Sequence, residues 1–262
     1  MNSYNPLLTT YDMGAEAFAF SSTRHGGFSE GNYWSFNVNE YCGDQESAVI
    51  KNRMALCREL NIKSDRLVMP HQIHSTLSRT ITADFFKMSA TEQRMYLEGV
   101  DALLTQEKDT CIGVSTADCV PLILYDAQKK LSAVIHAGWR GTQKEIVRSV
   151  LKTMKKEFCS SLSDVRAIIG PSICVEAFEV GNEVYEAFRE VTPDIDRIAR
   201  RIKGKWHIDL WEANRIQMET EGVPSENITV SSICNYSSSD MYFSARKLTV
   251  NSGRILTGII IN

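Results

Sequence analysis

Residues 101–142 read DALLTQEKDTCIGVSTADCVPLILYDAQKKLSAVIHAGWRGT. Four apolar runs lie within this stretch, at Asp101–Thr105, Cys111–Ser115, Val120–Tyr125 and Leu131–Ile135. Each has the length of a strand and is flanked by polar or turn-forming residues, so each reads as β-structure. A helix begins only after His136-Ala137-Gly138-Trp139-Arg140-Gly141-Thr142, where Ile146, Val150, Met154 and Phe158 share one face. Strands that follow one another in this way, without strict alternation with helices, point to an α+β arrangement with mixed β-sheets rather than a doubly wound parallel sheet.

Outward from that centre, Val165–Ile169 reads as a strand stopped by Gly170-Pro171. Glu183–Val191 and Asp209–Glu221 read as helices, and Ile228–Ile233 and Ile255–Ile261 as strands. Toward the N-terminus, Phe18–Thr23 reads as a strand running to a Gly26-Gly27 turn. Asp44 is placed to cap a helix carrying Val49, Arg53, Leu56 and Leu60 at helical spacing. Arg66–Met69 and Thr76–Thr82 read as extended segments flanking Pro70-His71-Gln72-Ile73-His74, and the polar run Lys87–Arg94 as a surface excursion. There is no repeat and no Pro/Gly/Ser-rich linker. One domain over 1–262, with mixed sheets and packed helices, is the simplest organisation.

The chain has 262 residues, 43% hydrophobic and 23% charged, which is ordinary for a globular protein. A formal net charge of -3 supplies no basic footprint for nucleic acid, and Lys155-Lys156 and Arg200-Arg201 are short enough to be solvated surface pairs. No apolar run approaches the length of a membrane span. Met1–Tyr11 lacks a basic region followed by an apolar one, so no secretory signal is expected and the cytoplasm is the expected location. Seven cysteines, odd in number and without a CxxC pair, predict no disulfide framework, with most of the seven as small buried apolar groups.

Three segments carry metal-capable side chains at the ends of predicted strands: His71-Gln72-Ile73-His74, Ala117-Asp118-Cys119-Val120-Pro121 and His136. Residues three apart in an extended segment point to opposite faces, so His71 and His74 share a site only if the backbone bends. Two imidazoles and a thiolate suit zinc, filling three tetrahedral positions and leaving the fourth for water. From spacing alone, each of these residues could equally be an ordinary structural His or Cys.

Gln72-Ile73-His74-Ser75, Ala117-Asp118-Cys119-Val120-Pro121 and His136-Ala137-Gly138-Trp139-Arg140-Gly141 resemble the signature motifs of the YfiH-type family, also called the polyphenol oxidase or laccase-domain family. The likeness extends to Thr23-Arg24-His25-Gly26-Gly27-Phe28-Ser29, Ser35-Phe36-Asn37, Gly43-Asp44 with Asn52-Arg53, and Tyr242-Phe243-Ser244-Ala245-Arg246. Lys247–Asn251 departs from the usual continuation. The resemblance implies a YfiH-like fold and a zinc site at His74, Cys119 and His136, with His71 outside the ligand set. It also implies purine nucleoside phosphorylase activity, using inorganic phosphate on adenosine, inosine or S-methyl-5'-thioadenosine, with adenosine deaminase activity beside it.

Around such a site, Asp118 could move protons at the substrate, orient a ligating histidine, or simply cap a strand end. Arg140 opens a helix at Gly141-Thr142, where an anion is favoured, and could hold phosphate or lie on the surface beside Trp139. Arg24 and Arg246 are substrate-binding candidates on the resemblance alone. Asn37 could bind substrate or close its own turn. Competing functions are a cysteine hydrolase with Cys119 as nucleophile and His136 as base, and editing of peptidoglycan precursors. A multicopper polyphenol oxidase centre would consume about ten histidines plus a cysteine, and the chain has five histidines.

Overall fold

All four runs of the central stretch form strands in the structure, a computed structural model that describes residues 4–262; residues 1–3 of the predicted domain and N-terminal segment lie outside the described residues. In chain order the strands are β1 (Leu8–Asp12), β2 (Ala17–Ser22), β3 (Leu67–Val68), β4 (Ser78–Ile81), β5 (Ala102–Thr105), β6 (Cys111–Thr116) and β7 (Val120–Asp126). There follow β8 (Leu131–Ala137), β9 (Val165–Ile169), β10 (Glu179–Val180), β11 (Ala199–Ile202), β12 (Lys205–Ile208), β13 (Ile228–Val230) and β14 (Ile255–Ile261). The helices are α1 (Glu46–Glu59), α2 (Ala90–Leu97), α3 (Trp139–Gln143), α4 (Ile146–Phe158), α5 (Asn182–Val191), α6 (Leu210–Glu221) and α7 (Ala245–Leu248).

Two sheets are stacked. One has the order β13-β9-β7-β8-β5-β4 and the other β1-β2-β14-β6-β3, with a small sheet β10-β12-β11 in addition. Both large sheets are mixed: β4/β5, β9/β13 and β3/β6 pair in parallel, their other neighbours antiparallel. Alternation along the strands divides the core. Leu103, Ile123, Tyr125, Val134 and Ile168 face the other sheet, where they meet Ile112, Val114, Ile259 and Ile261. Their neighbours Leu104, Leu122, Leu124 and Ile135 face the opposite way, onto Val147, Val150, Leu151 and Met154 of α4 and Met218 of α6. On the far side of the second sheet, Phe20, Leu256 and Ile260 receive Ala55 and Leu56 of α1. The layers are therefore helix, sheet, sheet, helix. A strand buried on both faces is mostly apolar, which is why these strands read as nearly continuous runs. Each large side chain buried this way contributes roughly 1.5–3 kcal/mol.

Several local expectations change. Within the supposed excursion at 87–94 a true helix, α2, begins at Ala90, with Ser89 and Glu92 forming a capping box. Its reason is topological, since β4 and β5 pair in parallel and need a crossover between them. Asp44 does not cap α1. Gln45 holds that position, while the Asp44 carboxylate accepts from Ser29 Oγ at 2.6 Å and Asn37 Nδ2 at 2.8 Å. The segment after β8 is two helices, broken at Glu145, which adopts a left-handed φ of 60°. His136 lies inside β8 rather than after it. The strand at 228–233 ends early, at Val230, and Ser232 turns the chain with a φ of 55°. Strand β1 and the hairpin β11–β12 were not anticipated; their runs are short and half-exposed. Lys155, Lys156, Arg200 and Arg201 are exposed. Among the described residues, no helix is long and apolar enough to cross a membrane.

Candidate metal centre

The antiparallel pair β7/β8 aligns Val120 with Ala137 and Pro121 with His136. Cys119, one residue before β7, therefore emerges at the same sheet end as His136. Strand β5 pairs with β8 there too, Ala102 against Ile135, which places Asp101 beside His136. The third donor comes from the loop between β3 and β4, where His74 adopts a left-handed φ of 64°. That bend lets His74 and His71 border the same cleft despite their spacing, but only the His74 ring reaches Cys119.

The ligand-capable atoms of His74, Cys119 and His136 all lie within 4.8 Å of one another. Cys119 Sγ is 3.7 Å from His74 Nε2. Tetrahedral zinc, with bonds of ~2.3 Å to sulfur and ~2.0–2.1 Å to nitrogen, separates such a pair by about 3.6 Å. The donor set thus fits a metal with three protein ligands. His136 is buried, Cys119 half-buried and His74 exposed, so the triangle faces solvent on one side.

Asp101, which is fully buried, organises the site. Its Oδ1 accepts from His136 Nδ1 at 2.6 Å, leaving Nε2 for a metal, and its two oxygens accept the backbone N–H groups of Ile73, His74 and Ser75 at 3.2, 3.1 and 2.7 Å. A carboxylate behind a ligating histidine fixes its tautomer and orientation. One side chain here positions two of the three donors. Burial alone would push the Cys119 thiol up, but His136 and His74 outweigh it and bring the thiol down to about 6. Burial likewise disfavours the charged His136 ring, and Cys119 and Asp101 overcome this, raising it to about 9. The metal-free site is a thiolate–imidazolium pair at neutral pH.

The donors open onto a cleft of about 310 Å³ bordered by Asn39, Tyr41, His71, Gln72, Ser115, Thr116 and Arg254, among others. A second concavity, between α4 and α6, is bordered by Arg148, Arg197 and Gln217 and by none of the three donors. The profile of a family described as multi-copper polyphenol oxidoreductase laccase matches residues 18–262. The chain belongs to this family. Among its relatives, a purine nucleoside phosphorylase of Bacteroides thetaiotaomicron is 48% identical over 245 residues, covering 93% of this chain and 91% of that one. An adenosine deaminase, RL5, from an unknown prokaryotic organism is 42% identical, covering 92% of each chain. The laccase-domain fold is also that of the Bacillus licheniformis hypothetical protein YfiH, with a TM-score of 0.92, 28% identity and coverage of 98% and 97%. YlmD from Geobacillus stearothermophilus superposes with a TM-score of 0.89 at 30% identity, covering 95% of this chain and 93% of its own.

The remaining sequence-predicted residues fall less close to the donors. Asp118 bonds to neither His74 nor His136; the carboxylate hydrogen-bonded to both is that of Asp101. Asp118 has a left-handed φ of 84°, its Oδ2 accepts the Arg246 backbone N–H at 2.7 Å, and burial pushes its carboxyl above the usual carboxylate range. Asn37 closes its own turn: its amide donates to Asn39 O and Asp44 Oδ2, and its Oδ1 accepts from the backbone of Asn39 and Arg254. Arg24 is tied to the carbonyls of Trp34 and Ser239 at 2.9 and 2.7 Å. Arg246 is exposed and donates to Glu179 O. Arg140 is exposed, its guanidinium 4.3 Å from the Trp139 ring centroid, and α3 behind it has only five residues. None of these five borders the cleft; the arginine that does is Arg254. Sequence reasoning missed Asp101, Tyr41 and Arg254. For Asp101 a signal existed, a lone carboxylate opening an otherwise apolar strand.

Proposed function

We propose that this chain is a zinc-dependent purine nucleoside phosphorylase acting on adenosine, inosine and S-methyl-5'-thioadenosine, with adenosine deaminase activity at the same site. The observation that carries the reading is the His74–Cys119–His136 triangle opening onto a cleft that also holds a cationic side chain, Arg254. The names of the relatives, a purine nucleoside phosphorylase and an adenosine deaminase, support the substrate class. Two imidazoles and one thiolate favour zinc over a hard cation. Zinc held by these donors would supply a Lewis acid at the cleft wall.

In phosphorolysis a phosphate oxygen bonds to C1' of the ribose while the C1'–N9 bond breaks, its electron pair leaving with the base, which takes up a proton. In deamination, water adds at C6 of adenosine and ammonia leaves. The chain's own contribution is placement. Arg254 replaces Arg140 as the phosphate contact, with its NH1 and NH2 already anchored on the carbonyls of Val250, Ser252 and Gly253. Thr116 borders the cleft, and its buried hydroxyl has no hydrogen-bond partner within the protein. Tyr41, stacked on His71 at 4.0 Å, gives the base a flat wall, and Glu98 holds His71 from behind at 2.8 Å.

The test is product chromatography with zinc-loaded protein, a panel of purine nucleosides, and phosphate present or omitted. Free base and ribose 1-phosphate are expected only with phosphate. Arg254→Gln should raise the phosphate KM roughly tenfold or more, the loss of a charge-assisted hydrogen bond, while the nucleoside KM changes little. No base released from any purine nucleoside would sink the proposal and leave peptidoglycan-precursor editing as the better reading. The thiolate–imidazolium pair favours one alternative, a cysteine hydrolase using Cys119 and His136. That reading requires the metal-free protein to be the active form, and the same panel run after chelation separates the two.

A further inference from the structure

Cys174 and Cys234 are sixty residues apart in sequence and both half-buried. Cys174 follows β9 and Cys234 follows β13, the two strands that pair in parallel. Backbone bonding continues beyond both strands: Ser231 N donates to Ile169 O at 2.9 Å, Ser172 N to Ile233 O at 3.1 Å, and Asn235 N to Ser172 O at 3.0 Å. This ladder holds the two thiols face to face. Their Sγ atoms are 2.7 Å apart, and the Cys174 N–H donates to Cys234 Sγ at 3.2 Å. A disulfide requires an S–S length of about 2.05 Å and two backbones at bonding range, and here the ladder already fixes the backbones.

We propose that Cys174 and Cys234 form a reversible intramolecular disulfide by exchange with a small-molecule disulfide. The Cys234 thiolate attacks one sulfur of the oxidant, whose S–S bond breaks and releases one half as a thiol. Cys174 then attacks Cys234 Sγ in the resulting mixed disulfide, forming the Cys174–Cys234 bond and expelling the second half. Two protein thiols are oxidised, one external disulfide is reduced to two thiols, and the two protein S–H protons go to those thiols. The environment agrees with that order of attack. Burial would raise both thiols, but bonds from Cys174 and Ser237 hold Cys234 below its ordinary value, while burial and Cys234 push Cys174 up to about 12. The cross-link is tied to the segment before Cys119, because the Ile173 N–H donates to Asp118 O at 2.9 Å. Oxidation would therefore pin the segment that holds the residue before Cys119.

Zinc-loaded protein is incubated with oxidised glutathione, alkylated under denaturing conditions and mapped by peptide mass spectrometry. The expected product is a peptide pair joined through Cys174 and Cys234, two hydrogens lighter than the reduced peptides and restored by dithiothreitol. Exposed Cys159 serves as the internal control and should stop at a mixed disulfide. Cys174→Ser should arrest Cys234 at the mixed disulfide. In the wild-type protein, a mixed disulfide that persists on Cys234, or two unmodified thiols once Cys159 has reacted, overturns the proposal. The wild-type chain carries this readout, so a misfolded variant does not affect it.

Discussion

Gly138 shows how much of the site depends on space at single residues. Its φ of -64° is open to any amino acid, so the backbone does not demand glycine. The demand comes from packing: a Cβ there would lie 2.7 Å from His74 Cδ2 and 3.0 Å from Cys119 Sγ. Gly138→Ala should therefore push two donors apart while leaving both sheets intact. Metal analysis of the purified variant should find zinc well below half the wild-type content, with an unchanged circular dichroism spectrum; full zinc occupancy would show that the donors can move aside. The same scale explains why the donors were readable from residue type while their neighbours were not. Thiolate and imidazole advertise metal chemistry wherever they occur. An arginine does not advertise where its guanidinium ends up, and Arg140 ends up on Trp139, Arg24 on the Trp34 carbonyl and Arg254 on the carbonyls of Val250, Ser252 and Gly253 at the border of the cleft.

At the scale of elements, α2 links a local sequence signal to the placement of the site. The Ser89 hydroxyl accepts from Glu92 N, and the Glu92 carboxylate accepts from Ser89 N at 2.8 Å. The helix buries none of its side chains, so its caps matter more than its packing. Beyond its end, the His71 N–H donates to Leu97 O at 3.1 Å and Gly99 N to His71 O at 3.0 Å. Ser89→Ala should cost about 1 kcal/mol. Urea denaturation measures the cost, hydrogen exchange should rise within 90–98, and zinc content should not change, because Asp101 rather than α2 holds the His74 loop. Protection left unaltered in α2 would mean the box contributes nothing. The pattern Ser89-x-x-Glu92 was present to be read, but the polar character of 87–94 masked it, since an exposed helix has no apolar stripe. The continuous strands were easier: both faces of β7 are buried, so every position from Val120 to Tyr125 reports its place.

Across the whole molecule, the candidate metal site lies at the end of strands whose apolar side chains form the core. Ile123, Val134 and Leu122 are fully buried between layers and are held by packing against other apolar side chains. Chelation should then abolish activity and leave a cooperatively folded protein, unlike small domains that unfold without zinc. Returning zinc to the metal-free protein at pH 7.5 should release about one proton: with Cys119 at about 6 the thiol is already ionised, while with His136 at about 9 the ring still carries its proton. As pH falls through about 6 the thiol is protonated too, so proton release rises and zinc affinity drops. Calorimetry in buffers of different ionisation enthalpy counts the protons, and no release at pH 7.5 would contradict the ion pair. Composition and periodicity alone determined the α+β class and most of the strands, because burial on two faces leaves a strand mostly apolar. Residue chemistry with motif likeness singled out His74, Cys119 and His136. Only the tertiary structure decided that Asp101 rather than Asp118 stands behind His136, that Arg254 rather than Arg140 borders the cleft, and that Cys174 meets Cys234. These are contacts between residues 35 or more apart along the chain, set by strand register, and register is a property of paired segments that no single segment carries.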